Sequence, residues 1–159
     1  MGLRYPDQKH CGCFFVTTTY NDWSNYSNIP GLYEKLCNSL TYCADKYNAR
    51  IAAYSLMPSH IHLLLFIKGN KLSDFMRDFK KYISQKVMAD FGISEAKIWK
   101  SRFDRVAIES RKVFLTKLNY IHKNPVKDGL VSNIEDWKWS SAADYFTDRK
   151  GLIEIWKGW

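Results

Sequence analysis

Residues 13–20, CFFVTTTY, are dense in β-branched and aromatic side chains and stop at Asn21-Asp22, a composition that suits a pleated, half-buried surface and predicts a first strand. Pro30 then stands where a first helical residue would, and Tyr33, Leu36, Cys37, Leu40, Cys43, Ala44 and Tyr47 recur at three- and four-residue steps, the spacing of an amphipathic helix. Residues 50–57 and 60–67 are two strand-like apolar runs joined across Pro58-Ser59, a connection short enough for an antiparallel hairpin. Leu72, Phe75, Met76, Phe79, Ile83 and Val87 return to helical spacing, which predicts a second helix ending near Gly92. Residues 103–108 predict a fourth strand. Val113, Phe114, Leu118 and Ile121 predict a third helix, expected to end at Pro125.

The order βαββαβα predicts an α+β fold, an antiparallel sheet backed by helices of the ferredoxin-like (RRM-like) kind. No repeat, linker or low-complexity tract divides the 159 residues, so a single domain over residues 1–159 is expected, with a Trp-rich tail from about 130 to 159. The tail's Trp137, Trp139, Trp156 and Trp159 serve either as a packed lid or as stacking surfaces for unpaired bases.

Charge and composition narrow the function classes only a little. The chain carries 24 Lys and Arg against 16 Asp and Glu, a net charge of +8, which favours a polyanionic partner. The bases Arg77 and Lys81 on the second predicted helix, and Lys117, Lys123 and Lys127 on or just past the third, are candidate DNA contacts; the alternative is a solvated helix face. Aromatic residues make up 16%, a high share; they can build a core, and any left exposed are of the types that stack on unpaired bases. Cys11, Cys13, Cys37 and Cys43 follow no secretory leader and lack zinc-site spacing, so free thiols and a cytoplasmic location are expected. No apolar run approaches the roughly 20 residues of a membrane span.

Two short patterns carry chemistry. His60 and His62 are i and i+2 in a strand, so both imidazoles leave the same face. Side by side on a half-buried sheet, they are either hydrogen-bonded structural histidines or the nitrogen donors of a divalent metal. Tyr120 and Asn124 are i and i+4 on the third helix, about 40° apart around its axis, and so share a face, although Pro125 biases Asn124 away from helical geometry. Tyr120 stands off the main apolar stripe, with Thr116, Lys117 and Asn124 as nearer neighbours. Spacing alone leaves it either a half-buried amphipathic residue or a nucleophile, and puts His122 on the structural side near Leu118.

The run Met57-Pro58-Ser59-His60-Ile61-His62-Leu63-Leu64, followed some sixty residues later by Tyr120-Ile121-His122-Lys123-Asn124-Pro125-Val126-Lys127-Asp128-Gly129-Leu130-Val131, resembles the Y1 transposases of the IS200 type, and more narrowly their REP-associated tyrosine transposase branch. Residues 72–81 (LSDFMRDFKK), 99–105 (WKSRFDR) and 137–141 (WKWSS) extend the match over nearly the whole chain. The resemblance implies a ferredoxin-like fold of the HUH endonuclease class that cuts single-stranded DNA beside a hairpin through a covalent 5′-phosphotyrosine. It implies His60 and His62 as metal ligands and Tyr120 as the nucleophile. Asn124 takes the place of the usual third ligand, a glutamine, a departure shared by the REP-associated branch. The implied cofactor is a divalent metal, Mg²⁺ or Mn²⁺, which polarises the scissile phosphate and steadies the charge that builds on it. Tyrosine attack conserves the phosphodiester as a phosphotyrosine that a strand end can later reverse. The implied partner is single-stranded DNA with palindromic elements, and the implied state is a monomer using its own tyrosine or a homodimer that exchanges tyrosine helices. A non-catalytic single-strand-binding module on the same fold is the alternative.

Overall fold

The computed structural model describes residues 6–93 and 98–159; part of the opening stretch read for a leader lies outside them. The chain runs β1 (Cys13–Thr19), α1 (Leu32–Lys46), β2 (Arg50–Leu56), β3 (His60–Phe66), α2 (Leu72–Tyr82), β4 (Asp104–Ala107), α3 (Arg111–Lys127) and a short α4 (Ala142–Phe146). The strands form one antiparallel sheet in the order β2-β3-β1-β4, which is the ferredoxin-like arrangement. β1 and β3, at its centre, are buried on both faces because helices cover both. On one face Phe14, Val16, Leu63 and Leu65 pack against Leu36 and Leu40 of α1 and Phe75 and Phe79 of α2. On the other, Phe15 and Leu64 meet Phe114, Leu118 and Ile121 of α3, each worth about 2 kcal/mol of apolar burial.

Element boundaries depart from the sequence pattern where backbone chemistry intervenes. α1 starts at Leu32, because Gly31 takes a left-handed conformation (φ 75°) just ahead of the helix and leaves Pro30 outside it. Regular α2 ends at Tyr82 and continues as a wide turn over Ile83–Val87 and a tight turn over Met88–Phe91 before Gly92 reverses the chain. β4 is shorter than the apolar run that announced it.

The third helix does not stop at Pro125 but passes through it to Lys127. Pro125 falls in the last turn, where one missing N–H is tolerated, and the end is closed by Gly129 in the left-handed region (φ 76°). Gly129 N–H donates to Val126 O at 3.0 Å and Leu130 N–H to Pro125 O at 2.9 Å. The consequence is functional: Asn124 stays helical, one turn from Tyr120. At the other end Ser110 caps the helix, its hydroxyl accepting from Val113 N–H at 3.2 Å.

The tail forms a strap along the outer edge of β2. Leu56 N–H donates to Trp139 O, Ser141 N–H to Tyr54 O and Trp156 N–H to Ile51 O, at 2.8, 3.0 and 2.9 Å, so an edge that would otherwise expose unpaired amides is covered. Trp137 donates its indole N–H to Leu56 O, Trp139 stacks on Tyr33, Trp156 packs on Phe66, and Trp159 stacks on Phe114. These four tryptophans are therefore engaged in packing the strap.

His122 ties α3 to that strap. It is fully buried, and its Nε2 lies 2.7 Å from Ser141 Oγ, which itself accepts from Tyr54 N–H and donates to Tyr54 O. Burial lowers its pKa to about 4, against about 6.5 for an unfolded histidine. A buried neutral imidazole contributes no pH dependence above about 6.5. As pH falls below that value the unfolded chain takes up a proton that the folded chain refuses, so stability falls until about pH 4. Urea midpoints should be flat from pH 8 to 7 and drop steadily from pH 6 to 4, and His122→Gln should reduce that slope.

Candidate active site

The side of the sheet that faces α3 changes character along its strands. Reading β3 from its end, Phe66 and Leu64 are apolar and His62 and His60 polar; in the antiparallel partner Cys13 and Phe15 give way to Thr17 and Thr19, with Thr17 opposite His62 and Thr19 opposite His60. α3 lies antiparallel to β3 and follows the same gradient. Phe114 packs near Phe66 with ring centroids 5.9 Å apart, Tyr120 reaches His62, and Asn124 reaches His60. The apolar half anchors the helix, and the polar half is left to form a site.

Within that half the rings of His60 and His62 stand 4.7 Å apart, confirming that they share a face. Tyr120 lies 5.3 Å from His62 and 5.8 Å from Phe15, centroid to centroid and near-perpendicular to both, while 43% of its surface stays open to solvent. Asn124 is buried, and its Oδ1 sits 3.2 Å from His60 Nε2. All of these groups belong to one chain.

Hydroxyl groups fix both imidazoles from behind. Thr17 Oγ1 is 2.9 Å from His62 Nδ1 and Ser59 Oγ is 3.1 Å from His60 Nδ1, so each ring engages a neighbour through Nδ1 and leaves Nε2 on its other side, that of His60 meeting Asn124. His62 Nε2 is buried with no hydrogen-bond partner. A buried bare nitrogen is costly unless a donor or a cation meets it. Burial lowers the His62 pKa to about 3, with the charges of His60 and Lys117 acting in the same direction. Burial also lowers that of His60, opposed by Asn124 and by the negative charge of Asp128. Both imidazoles are thus neutral at neutral pH, the form that binds a metal. Among the described residues no three His, Cys, Asp or Glu gather anywhere, so a cation held here would take two imidazole nitrogens and one amide oxygen. The orphaned His62 Nε2 and the convergent Asn124 Oδ1 fit that set.

Of the bases singled out from sequence, Lys117 is brought to the site, half-buried with its ammonium 4.7 Å over the Phe15 ring. Lys123 and Lys127 are exposed on α3. Arg77 and Lys81 lie on α2, across the sheet from the histidines, and Arg77 is paired with Asp74 and Asp78 at 2.8 and 3.0 Å. Thr17, Phe15 and Trp23, which no sequence motif singles out, also line or border the site. Period-two alternation through CFFVTTTY puts Phe15 and Thr17 on one face, but only the strand register reveals that the face is that of His62.

The family described as "Transposase IS200 like" matches residues 18–124, from the end of β1 through both histidines to Asn124. A Haemophilus influenzae protein described as a REP-associated tyrosine transposase is 28% identical over 159 residues, covering 92% of this chain and 88% of that one. The REP-associated tyrosine transposase of Escherichia coli K12 is 30% identical over 93 residues, 57% of this chain and 53% of its own. Among solved structures, a REP-associated tyrosine transposase bound to a REP hairpin superposes with a TM-score of 0.73 at 25% identity, covering 93% of this chain and 90% of the other. A Deinococcus radiodurans R1 protein described as a transposase shares the fold, with a TM-score of 0.51 at 16% identity over 76% of this chain and 94% of its own. Among the described residues no helix is long and apolar enough to cross a membrane. The histidine strand β3 and the tyrosine helix as far as Asn124 fall inside the matched span, and the chain belongs to the IS200-like transposases, with its likeness running to the REP-associated tyrosine transposases.

Proposed function

We propose that this protein cuts single-stranded DNA beside a hairpin by attack of Tyr120 on the phosphodiester, with His60, His62 and Asn124 holding a divalent metal, Mg²⁺ or Mn²⁺. The observation that carries the reading is the convergence of an exposed tyrosine ring, two neutral imidazoles and a buried amide oxygen on one spot within one chain. The metal, when bound, polarises the scissile phosphate and offsets the charge that develops on its oxygens.

The chain's own residues do the rest. Tyr120 Oη forms a bond to phosphorus while the bond from phosphorus to the 3′ oxygen breaks. The phenolic proton ends, directly or through solvent, on the departing 3′-hydroxyl. One ester replaces another, no water is consumed, and the strand's 5′ end is left on the enzyme as a phosphotyrosine that a 3′-hydroxyl can reopen. Lys117, steadied on Phe15, is positioned to grip the phosphate beside the tyrosine, and Lys123 and Lys127 to contact the backbone farther along α3. Because Tyr120 reaches His62 of its own chain, we place the reaction in one protomer.

The test is cleavage of an oligonucleotide that carries a short hairpin with unpaired flanks. Cutting in the flank that requires Mn²⁺ or Mg²⁺ and stops in EDTA is expected, and the same sequence annealed to its complement should resist. Salt-sensitive binding with no cleavage under any metal would replace this reading with a non-catalytic binding module.

Thr17 gives a finer prediction. Its hydroxyl orients His62, so Thr17→Val should weaken Mn²⁺ uptake by roughly 10- to 100-fold, and Thr17→Ser should restore it. Calorimetric titration reads both; equal affinity in Thr17→Val would show that the hydroxyl plays no orienting part.

A further inference from the structure

One aromatic side chain beside the histidines stays largely in solvent. Trp23 keeps 56% of its surface exposed. Its ring lies 5.6 Å from that of His60 and nearly perpendicular to it, and the Lys100 ammonium sits 5.2 Å from the indole centroid. The backbone holds it there firmly. Asp22 and Trp23 both have left-handed φ angles, 55° and 52°, a region that few residues other than glycine enter. On either side Asn21 N–H donates to Ile98 O, Tyr20 N–H to Ser59 O and Tyr26 N–H to Pro58 O, at 2.8, 3.1 and 3.2 Å. The last two bonds fix the segment to the turn from which the His60 strand departs. A large indole held in an uncommon conformation, largely in solvent, with an ammonium at its face, is built for a ligand with a flat π surface and a negative charge.

We infer that Trp23 and Lys100 form a nucleotide subsite in which an unpaired base next to the scissile phosphate stacks on the indole while the ammonium meets its phosphate. The inference rests on the proposed strand cutting at Tyr120, since that reaction supplies an unpaired strand at this place. Stacking on an aromatic ring is sequence-tolerant, so the subsite fixes the path of the strand rather than its sequence.

The test is a binding cycle on the full chain in a Tyr120→Phe background, where the strand stays intact. A fluorescent oligonucleotide with a hairpin and unpaired flanks is measured with Trp23, Trp23→Phe and Trp23→Leu, each against substrates with an abasic site moved through the flank. Trp23→Leu is expected to weaken binding about ten-fold or more and Trp23→Phe by less than about three-fold. One abasic position should cost the tryptophan protein about as much and cost Trp23→Leu nothing further. Mn²⁺ calorimetry on both variants checks that His60 is undisturbed. Full affinity in Trp23→Leu, or abasic costs that are the same with and without the indole, would overturn the subsite. Failure of the parent reading looks different: the Tyr120 protein would then form no covalent adduct with any hairpin substrate, whatever residue stands at position 23.

Discussion

Replacing Tyr120 with phenylalanine is expected to leave the fold, metal uptake and DNA binding in place while strand cutting falls by roughly 10⁴-fold or more, the scale at which loss of a covalent nucleophile is felt. The substitution is close to silent elsewhere. The ring keeps its contacts with His62 and Phe15, and the tyrosine is 43% exposed, so losing its hydroxyl strands no buried partner. Stability should stay within about 0.5 kcal/mol of the parent. Single-turnover cutting of a hairpin substrate, measured beside its equilibrium binding, separates the two effects. Cutting within ten-fold of the parent would remove Tyr120 from the chemistry.

His62→Ala should cost more of the site. It deletes one of three donors and the ring that Tyr120 and Phe15 pack against, and it leaves the Thr17 hydroxyl without its partner. Mn²⁺ affinity is expected to fall by more than about 100-fold, beyond what losing an orienting hydroxyl costs, and cutting should fall with it. The pH dependence in the parent protein has a defined sign. An imidazole binds metal only when neutral, and an ordinary histidine pair would begin to lose metal below about pH 6.5. Burial pushes His62 down to about 3 and lowers His60 as well, so uptake should stay nearly level from pH 8 to 6. A steep loss starting at pH 7 would mean that the pair is not buried as described.

Most of the fold was legible in the periodicity, because each face of β1, β3 and α3 must match what covers it. The sheet face shared by His60 and His62 follows from alternation alone, and the helix face shared by Tyr120 and Asn124 from the helical period. What alternation does not contain is the register. That Thr17 lies opposite His62, and that Tyr120 rather than Thr116 meets the histidines, depends on how the strands and α3 are offset, which long-range packing decides. α3 runs past Pro125 because the proline falls in the last turn, where the rule for helix interiors does not hold and Gly129 takes over the closing bonds. Trp23 was invisible for a different reason. Its segment carries no periodicity, and while Asp22 is a residue type that tolerates the left-handed region, Trp23 is not, so its backbone conformation could not be anticipated.

The most direct measurement is to map the covalent product. The protein is incubated with Mn²⁺ and a hairpin substrate labelled on either side of the cut, then denatured, digested and analysed by mass spectrometry. The expected result is a nucleotide 5′-phosphate carried on the peptide that contains Tyr120, with a free 3′-hydroxyl on the released fragment and no adduct in EDTA. A modified peptide elsewhere in the chain, a 3′-linked nucleotide, or cutting that leaves no protein adduct would contradict the account.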